Sequence, residues 1–174
     1  MKVIFQMFIL LFAVSCLSNE IESKSATKSE SNIEKSNVRI KTAKGDIVFS
    51  FYEKEAPNTV KRIKDLITEG FYNGLTFHRV IPGFVIQGGD PKGNGTGGSG
   101  KKLVAEFNSH KHVPGTVAMA RSSDPNSADS QFYISLGTHP HLDNSYTIFG
   151  MVKSGLAVAE NIQVGDKMIS VTLE

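Results

Sequence analysis

The segment Phe77–Asp90, FHRVIPGFVIQGGD, constrains this chain more than any other stretch. It sets one Arg and one Gln inside sequence that is otherwise apolar and strand-like, and the turn dipeptide Pro82–Gly83 divides it. Strands over Leu75–Val80 and Val85–Gly89 therefore flank a tight connection. If the first of them stays regular, Phe77, Arg79 and Ile81 share a face, so alternation does not place Arg79 in any groove. Taken alone, Arg79 reads as a surface strand residue with a solvated tip, the commoner fate of a lone Arg in a strand.

The rest of the chain from Val38 follows the same short-strand pattern. Val38–Thr42 and Ile47–Tyr52 flank AKGD, whose Gly45 suits a hairpin connection. A helix follows, with Pro57 near its start, Val60, Ile63, Leu66 and Ile67 on one face, and Gly70 placed to end it. Thr116–Ala120, Ser130–Leu136, Tyr146–Val152 and Ile169–Leu173 add four strands, with a second short helix near Leu156–Ile162. A chain of 174 residues with 40% hydrophobic content suits one domain with a sizeable core. Many strands and two helices point to a mainly β fold, a closed barrel. Within Ser130–Leu136, Phe132, Ile134 and Leu136 fill the interior, whereas Gln131, Tyr133 and Ser135 point outward and offer a piece of groove.

Five ordered motifs then narrow the reading: FHRVIPGFVIQGGD itself, NGTGG at Asn94–Gly98, AMAR at Ala118–Arg121, SQFYI at Ser130–Ile134, and HLDNSYTIFG from His141. From Val38 to the C-terminus the sequence resembles the cyclophilins, the peptidyl-prolyl cis-trans isomerases. The resemblance implies an eight-stranded antiparallel barrel with a helix capping each end, and a reaction that needs no cofactor and no metal. It assigns the catalytic Arg to Arg79 and the wall of the proline pocket to Phe84, Met119, Tyr133 and Leu142. Gln87, Ala120, Arg121 and Gln131 would line the groove for the substrate backbone, with Gly95 at its edge. Three positions depart from the best-known pattern: Val85 replaces a Met, His141 a Trp that often contacts cyclosporin, and Tyr146 a His near the proline pocket. Cyclosporin binding is therefore expected to be weak.

The residues suit that chemistry on physical grounds as well. Rotation about an X–Pro bond must break amide resonance, a barrier of roughly 18–20 kcal/mol, and needs no nucleophile. An apolar pocket that grips the prolyl ring helps, as does a donor to the amide nitrogen, which becomes pyramidal and basic as the bond twists. The always-charged guanidinium of Arg79 offers several N–H donors that can find this partner only in the transition state. Phe84 and Val85 supply apolar wall, and Gln87 offers both an acceptor and a donor to a substrate backbone. Proline-containing unfolded or extended polypeptides are the partners this implies. A rival from another class is a peptide-binding module or holdase that grips such segments without turnover, and a further one is a structural surface lipoprotein.

Other patterns carry less. Gly93, Gly95 and Gly98 satisfy G-x-G-x-x-G, but no amphipathic helix opens after them, and Lys102 stands where a phosphate-binding loop needs Ser or Thr. A backbone-flexible loop at the groove edge is the better reading. The pairs His110/His112 and His139/His141 lack supporting ligands and read as polar surface, so no metal site is expected. There is no G-x-S-x-G elbow. A formal charge of +2 without a clustered basic stripe gives no reason to expect nucleic acid binding.

The N-terminus carries a separate message. Lys2 precedes the apolar run Val3–Val14, broken only by Gln6, which ends in small residues at Ala13 to Ser15 and is too short for an ordinary membrane span. Cys16, the single cysteine, follows at once in AVSC, which resembles a bacterial lipobox although Ala13 stands where Leu is usual. Residues 1–15 are thus expected to be a lipoprotein signal peptide. Residues 16–37 are expected to be a lipidated Cys and a flexible linker rich in Ser, Glu and Lys, and residues 38–174 the isomerase domain. The expected location is the bacterial cell envelope, lipid-anchored and facing the periplasm or the exterior, with exported proteins as substrates.

Overall fold

The computed structural model describes residues 37–174. The expected signal peptide, Cys16 and nearly all of the linker lie outside the described residues. Strand β1, Asn37–Thr42, and strand β2, Gly45–Phe51, form an antiparallel hairpin in which Val38, Ile40 and Thr42 face inward beside Ile47, Phe49 and Phe51. Gly45 has φ +129°, and a β-carbon there would come within 2.9 Å of Val158. The tight connection and the approach of the second helix both require glycine.

Helix α1, Pro57–Thr68, buries Thr59, Val60, Ile63, Leu66 and Ile67 and gives way at Gly70, φ +72°. Its cap residue, Ala56, has no side chain able to accept a hydrogen bond. The distant Glu106 carboxylate supplies that function, accepting from the Asn58 and Thr59 amides at 3.0 and 2.8 Å.

The remaining strands are β3 (Arg79–Ile81), β4 (Val85–Gly88), β5 (Thr116–Met119), β6 (Phe132–Ser135), β7 (Ile148–Ser154) and β8 (Ser170–Leu173), with the five-residue helix α2, Leu156–Glu160, between β7 and β8. All pairings are antiparallel, in the order β3-β4-β6-β5-β7-β2-β1-β8. The sheet is a curled half-barrel of eight strands rather than a barrel closed by strand pairing all the way round. No ladder joins β3 to β8. Irregular backbone stitches that seam: the Phe77 amide donates to Asp166 at 2.9 Å, Met168 to Leu75 at 2.8 Å, and Gly74 to Met168 at 2.7 Å. The expected strand Leu75–Val80 is correspondingly reduced to Arg79–Ile81, because turns up to Gly74 leave only an isolated bridge at Thr76.

Inside the curl, Phe49, Phe77, Phe149, Ile86, Ile134 and Met119 are essentially inaccessible to water. A second apolar cluster lies on the outer face of the sheet, where Val85, Ala118, Tyr133 and Ile148 are buried beneath Phe84, Ala120 and Tyr146. Tyr133 and Ser135 do point outward, yet both are buried, because loops cover that face. The covering segment is tied down by Asn108, whose side-chain amide donates to the Ile148 carbonyl at 2.8 Å, and by the Glu106 amide on Thr147 Oγ1 at 2.9 Å.

Candidate active site

Register assembles the site. Arg79 pairs with Gln87, Gln87 with Tyr133, and Tyr133 with Ala118, so neighbouring strands set these residues in one row across the outer face. Arg79 joins that row because the alternation breaks just before it. Phe77 is fully buried in the core, His78 lies outside any strand, and Arg79 re-enters the sheet with its side chain exposed.

A chain of hydrogen bonds orders the polar members. Arg79 Nη1 donates to Gln87 Oε1 at 3.1 Å, and Gln87 Nε2 donates to Gln131 Oε1 at 2.9 Å. Gln131 Nε2 then donates to the Gly95 and Gly97 carbonyls at 3.1 and 2.8 Å. Each amide is thereby oriented, and among the described residues Gln87 is the one hydrogen-bond acceptor of the Arg79 guanidinium. The guanidinium carbon lies 5.6 Å from the centre of the Phe84 ring.

Beside Arg79 is a pocket of about 160 Å³. Phe84, Val85, Leu142, Tyr133 and Tyr146 give it apolar walls, and Arg79, Gln87, Ala120 and Arg121 complete it. Tyr146 meets Tyr133 edge to face, ring centres 5.8 Å apart. Arg121 spends its donors on backbone, with Nε and Nη2 on the Ser145 carbonyl at 3.0 and 2.8 Å and Nη1 on Ser122 at 2.8 Å. With its guanidinium carbon 4.7 Å from the centre of the Tyr146 ring, it braces the pocket wall and has few donors left over.

One expected wall residue stands elsewhere. Met119 belongs to the core and not to the pocket wall, because on β5 it shares the inward face with Val117 while Ala118 faces out. His141 is an exposed rim residue stacked on Phe84, ring centres 6.2 Å apart and planes 14° apart.

Gly95 has φ +87° and sits at the groove edge, on a loop that is pinned rather than loose. The buried carboxylate of Asp90 accepts the Lys92, Asn94 and Gly95 amides at 2.8, 3.0 and 2.6 Å. Burial alone would raise the Asp90 pKa. The backbone hydrogen bonds from Lys92, Asn94, Gly95 and Gly97 outweigh it and hold the carboxyl below its ordinary range. The role of Asp90 was not anticipated, although an Asp opening a Gly-rich turn carries the signal.

Three of the four paired histidines also differ from the polar surface expected of them, whereas His141 is exposed. His112 and His139 are buried, and His110 stacks flat on Tyr52, ring centres 3.8 Å apart. His139 Nε2 lies 3.0 Å from the Phe84 carbonyl oxygen, and His112 lies directly behind Tyr133. His78, also unassigned from the sequence, sits near Gly95, and burial lowers its pKa.

A family model described as cyclophilin type peptidyl-prolyl cis-trans isomerase/CLD matches residues 37–172. The chain belongs to the cyclophilin family. Among curated cyclophilin relatives, a peptidyl-prolyl cis-trans isomerase of Synechococcus elongatus is 45% identical over 136 residues, covering 77% of this chain and 93% of that protein. Peptidyl-prolyl cis-trans isomerase B of Bacillus subtilis is 48% identical over 130 residues, covering 74% and 90%. Among solved structures, a cyclophilin type isomerase of Cryptosporidium parvum, determined in the presence of the dipeptide Ala-Pro, aligns with a TM-score of 0.74 at 32% identity, covering 79% of this chain and 98% of that one. The cyclophilin fold thus accounts for the described residues almost entirely.

Proposed function

We propose that this cyclophilin domain turns over X–Pro bonds with the prolyl ring in the pocket walled by Phe84, Leu142 and Tyr133 and with Arg79 as donor to the twisting amide nitrogen. The observation that carries this reading is the juxtaposition of an apolar pocket with a guanidinium held by Gln87 through a single N–H. The Ala-Pro dipeptide used with the Cryptosporidium relative supports a proline-containing ligand for this pocket too. Gln87 and Gln131, already oriented by their neighbours, hold the substrate backbone, and Gly95 lets that backbone pass close to the loop. Residues 37–174 should accelerate cis-to-trans conversion of an Ala–Pro peptide at catalytic concentration. Peptide binding without acceleration would instead favour the holdase.

The same reading includes the anchor. Lys2, the apolar run Val3–Val14 and the single cysteine at Cys16 support lipidation of Cys16, attachment to the cell envelope and action on exported polypeptides. Acyl chains contribute about 0.8 kcal/mol per buried CH₂, enough for a multiply acylated cysteine to retain a soluble domain at a bilayer. Wild type should take up labelled fatty acid and partition into detergent, and Cys16→Ser should do neither. Aqueous partitioning of both, with no label, would leave a secreted isomerase. Cyclosporin should bind weakly, because His141 lacks the area and the indole donor of Trp.

A further inference from the structure

We infer that His112 is a positioning residue for the isomerase, whose imidazole hydrogen-bonds Tyr133 on one side and Asp143 on the other and so ties the pocket floor to the loop carrying Leu142 and Tyr146. The inference rests on the reading of Tyr133 as part of the proline pocket. Tyr133 is fixed by β6, whereas Leu142 ends the 3₁₀ turn Pro140–Leu142, and Asp143 and Tyr146 belong to the irregular segment between that turn and β7. His112 precedes β5 and belongs to neither. Its side chain has no exposure, and Nε2 lies 2.8 Å from Tyr133 Oη while Nδ1 lies 3.1 Å from Asp143 Oδ1. The His112 amide donates to that same oxygen at 2.9 Å, and Lys111 Nζ lies 3.3 Å from Asp143 Oδ2.

The proton positions follow from the partners. The His112 amide, its ring and Lys111 hold the Asp143 carboxyl down at about 2, so it is ionised and only accepts. The Nδ1 nitrogen of His112 must then carry a hydrogen. Burial lowers the His112 pKa against the pull of Asp143, with His139 and His141 lowering it further, so the ring is neutral near pH 7 and Nε2 accepts. The Tyr133 phenol, its pKa raised by burial, therefore donates to His112. This order spends the single Tyr133 hydrogen away from the pocket, which leaves the ring with its apolar surface toward a prolyl group. It also sets the floor ring against the Tyr146 ring, which is edge-on to both Tyr133 and His112.

A tie of this kind acts through Tyr133, so the decisive test is a double-mutant cycle in the full-length protein, read as kcat and KM for an Ala–Pro peptide. His112→Ala should lower kcat/KM by about tenfold, mainly through KM, because it strands a buried hydroxyl and loosens the wall. In a Tyr133→Phe background, where no hydroxyl needs a partner, the same change should cost less than about twofold. His112→Gln, able to donate to Asp143 and accept from Tyr133, should recover most of the loss. Equal losses from His112→Ala in the two backgrounds, or no loss in either, would overturn the proposal. Should His112→Ala fail to fold, imidazole nitrogen spectra of wild type and Tyr133→Phe decide. The Nδ1–H tautomer with an Nε2 signal that moves on loss of the hydroxyl supports the tie, and an Nε2–H tautomer contradicts it. Tyr133→Ala with unchanged kcat/KM would instead sink the reading of Tyr133 as pocket, and the tie with it.

Discussion

Arg79 and Met119 show what single residues reveal and hide. Chemistry marks Arg79, since a charged, multiply donating side chain inside an apolar segment needs a reason. Its direction was not legible, because it depends on the irregular backbone at His78 that breaks the alternation after Phe77. Met119 failed in the opposite way. It stands in the middle of a recognisable motif, but β5 turns it into the core and gives the outer face to Ala118. Asp90 and its loop give a residue-scale prediction. A β-carbon on Gly97 would fall 2.1 Å from Asp90 Oδ1, a separation real atoms do not adopt. Gly97→Ala should displace the carboxylate from the amides of the Gly95 loop, lower stability by about 1–3 kcal/mol and raise KM. Denaturant midpoints and peptide kinetics would check both parts, and an unchanged midpoint would mean that Asp90 does not hold the loop.

At the level of elements, helix α1 was the most legible, since apolar spacing, Pro57 and Gly70 agree on its face and its ends. Its N-cap was not legible at all. Glu106 lies far along the chain from Asn58, and no local pattern could link them. Loss of that carboxylate leaves the Asn58 and Thr59 amides without a protein acceptor at the positive end of the helix dipole. Glu106→Ala should destabilise the domain by about 0.5–2 kcal/mol in urea unfolding, and Glu106→Gln by less. Equal stability of wild type and Glu106→Ala would show that water caps the helix as well. Strand β3 was read too long for a related reason: composition marks strand-forming residues, but pairing requires a partner in register, and residues before Arg79 meet an irregular stretch near Lys167.

Across the whole molecule, closure follows from that same seam. Five motifs fixed the identity of the fold, whereas the way the curl closes depends on backbone hydrogen bonds between segments that are not strands, which no periodicity encodes. The eight-strand order also explains how residues as distant in sequence as Arg79, Tyr133 and Leu142 come to one pocket: β4 and β6 are neighbours, and the loop before β7 folds over them. The central claim is that Arg79 serves the transition state and not the resting complex. Arg79→Ala should therefore be measured twice on residues 37–174, once for kcat/KM with an Ala–Pro peptide and once for equilibrium binding of the same peptide. A charged hydrogen bond formed only as the amide twists predicts a loss of roughly ten- to a hundred-fold in kcat/KM, with binding changed by less than about threefold. Equal losses in rate and binding, or no loss of rate in a folded variant, would contradict it.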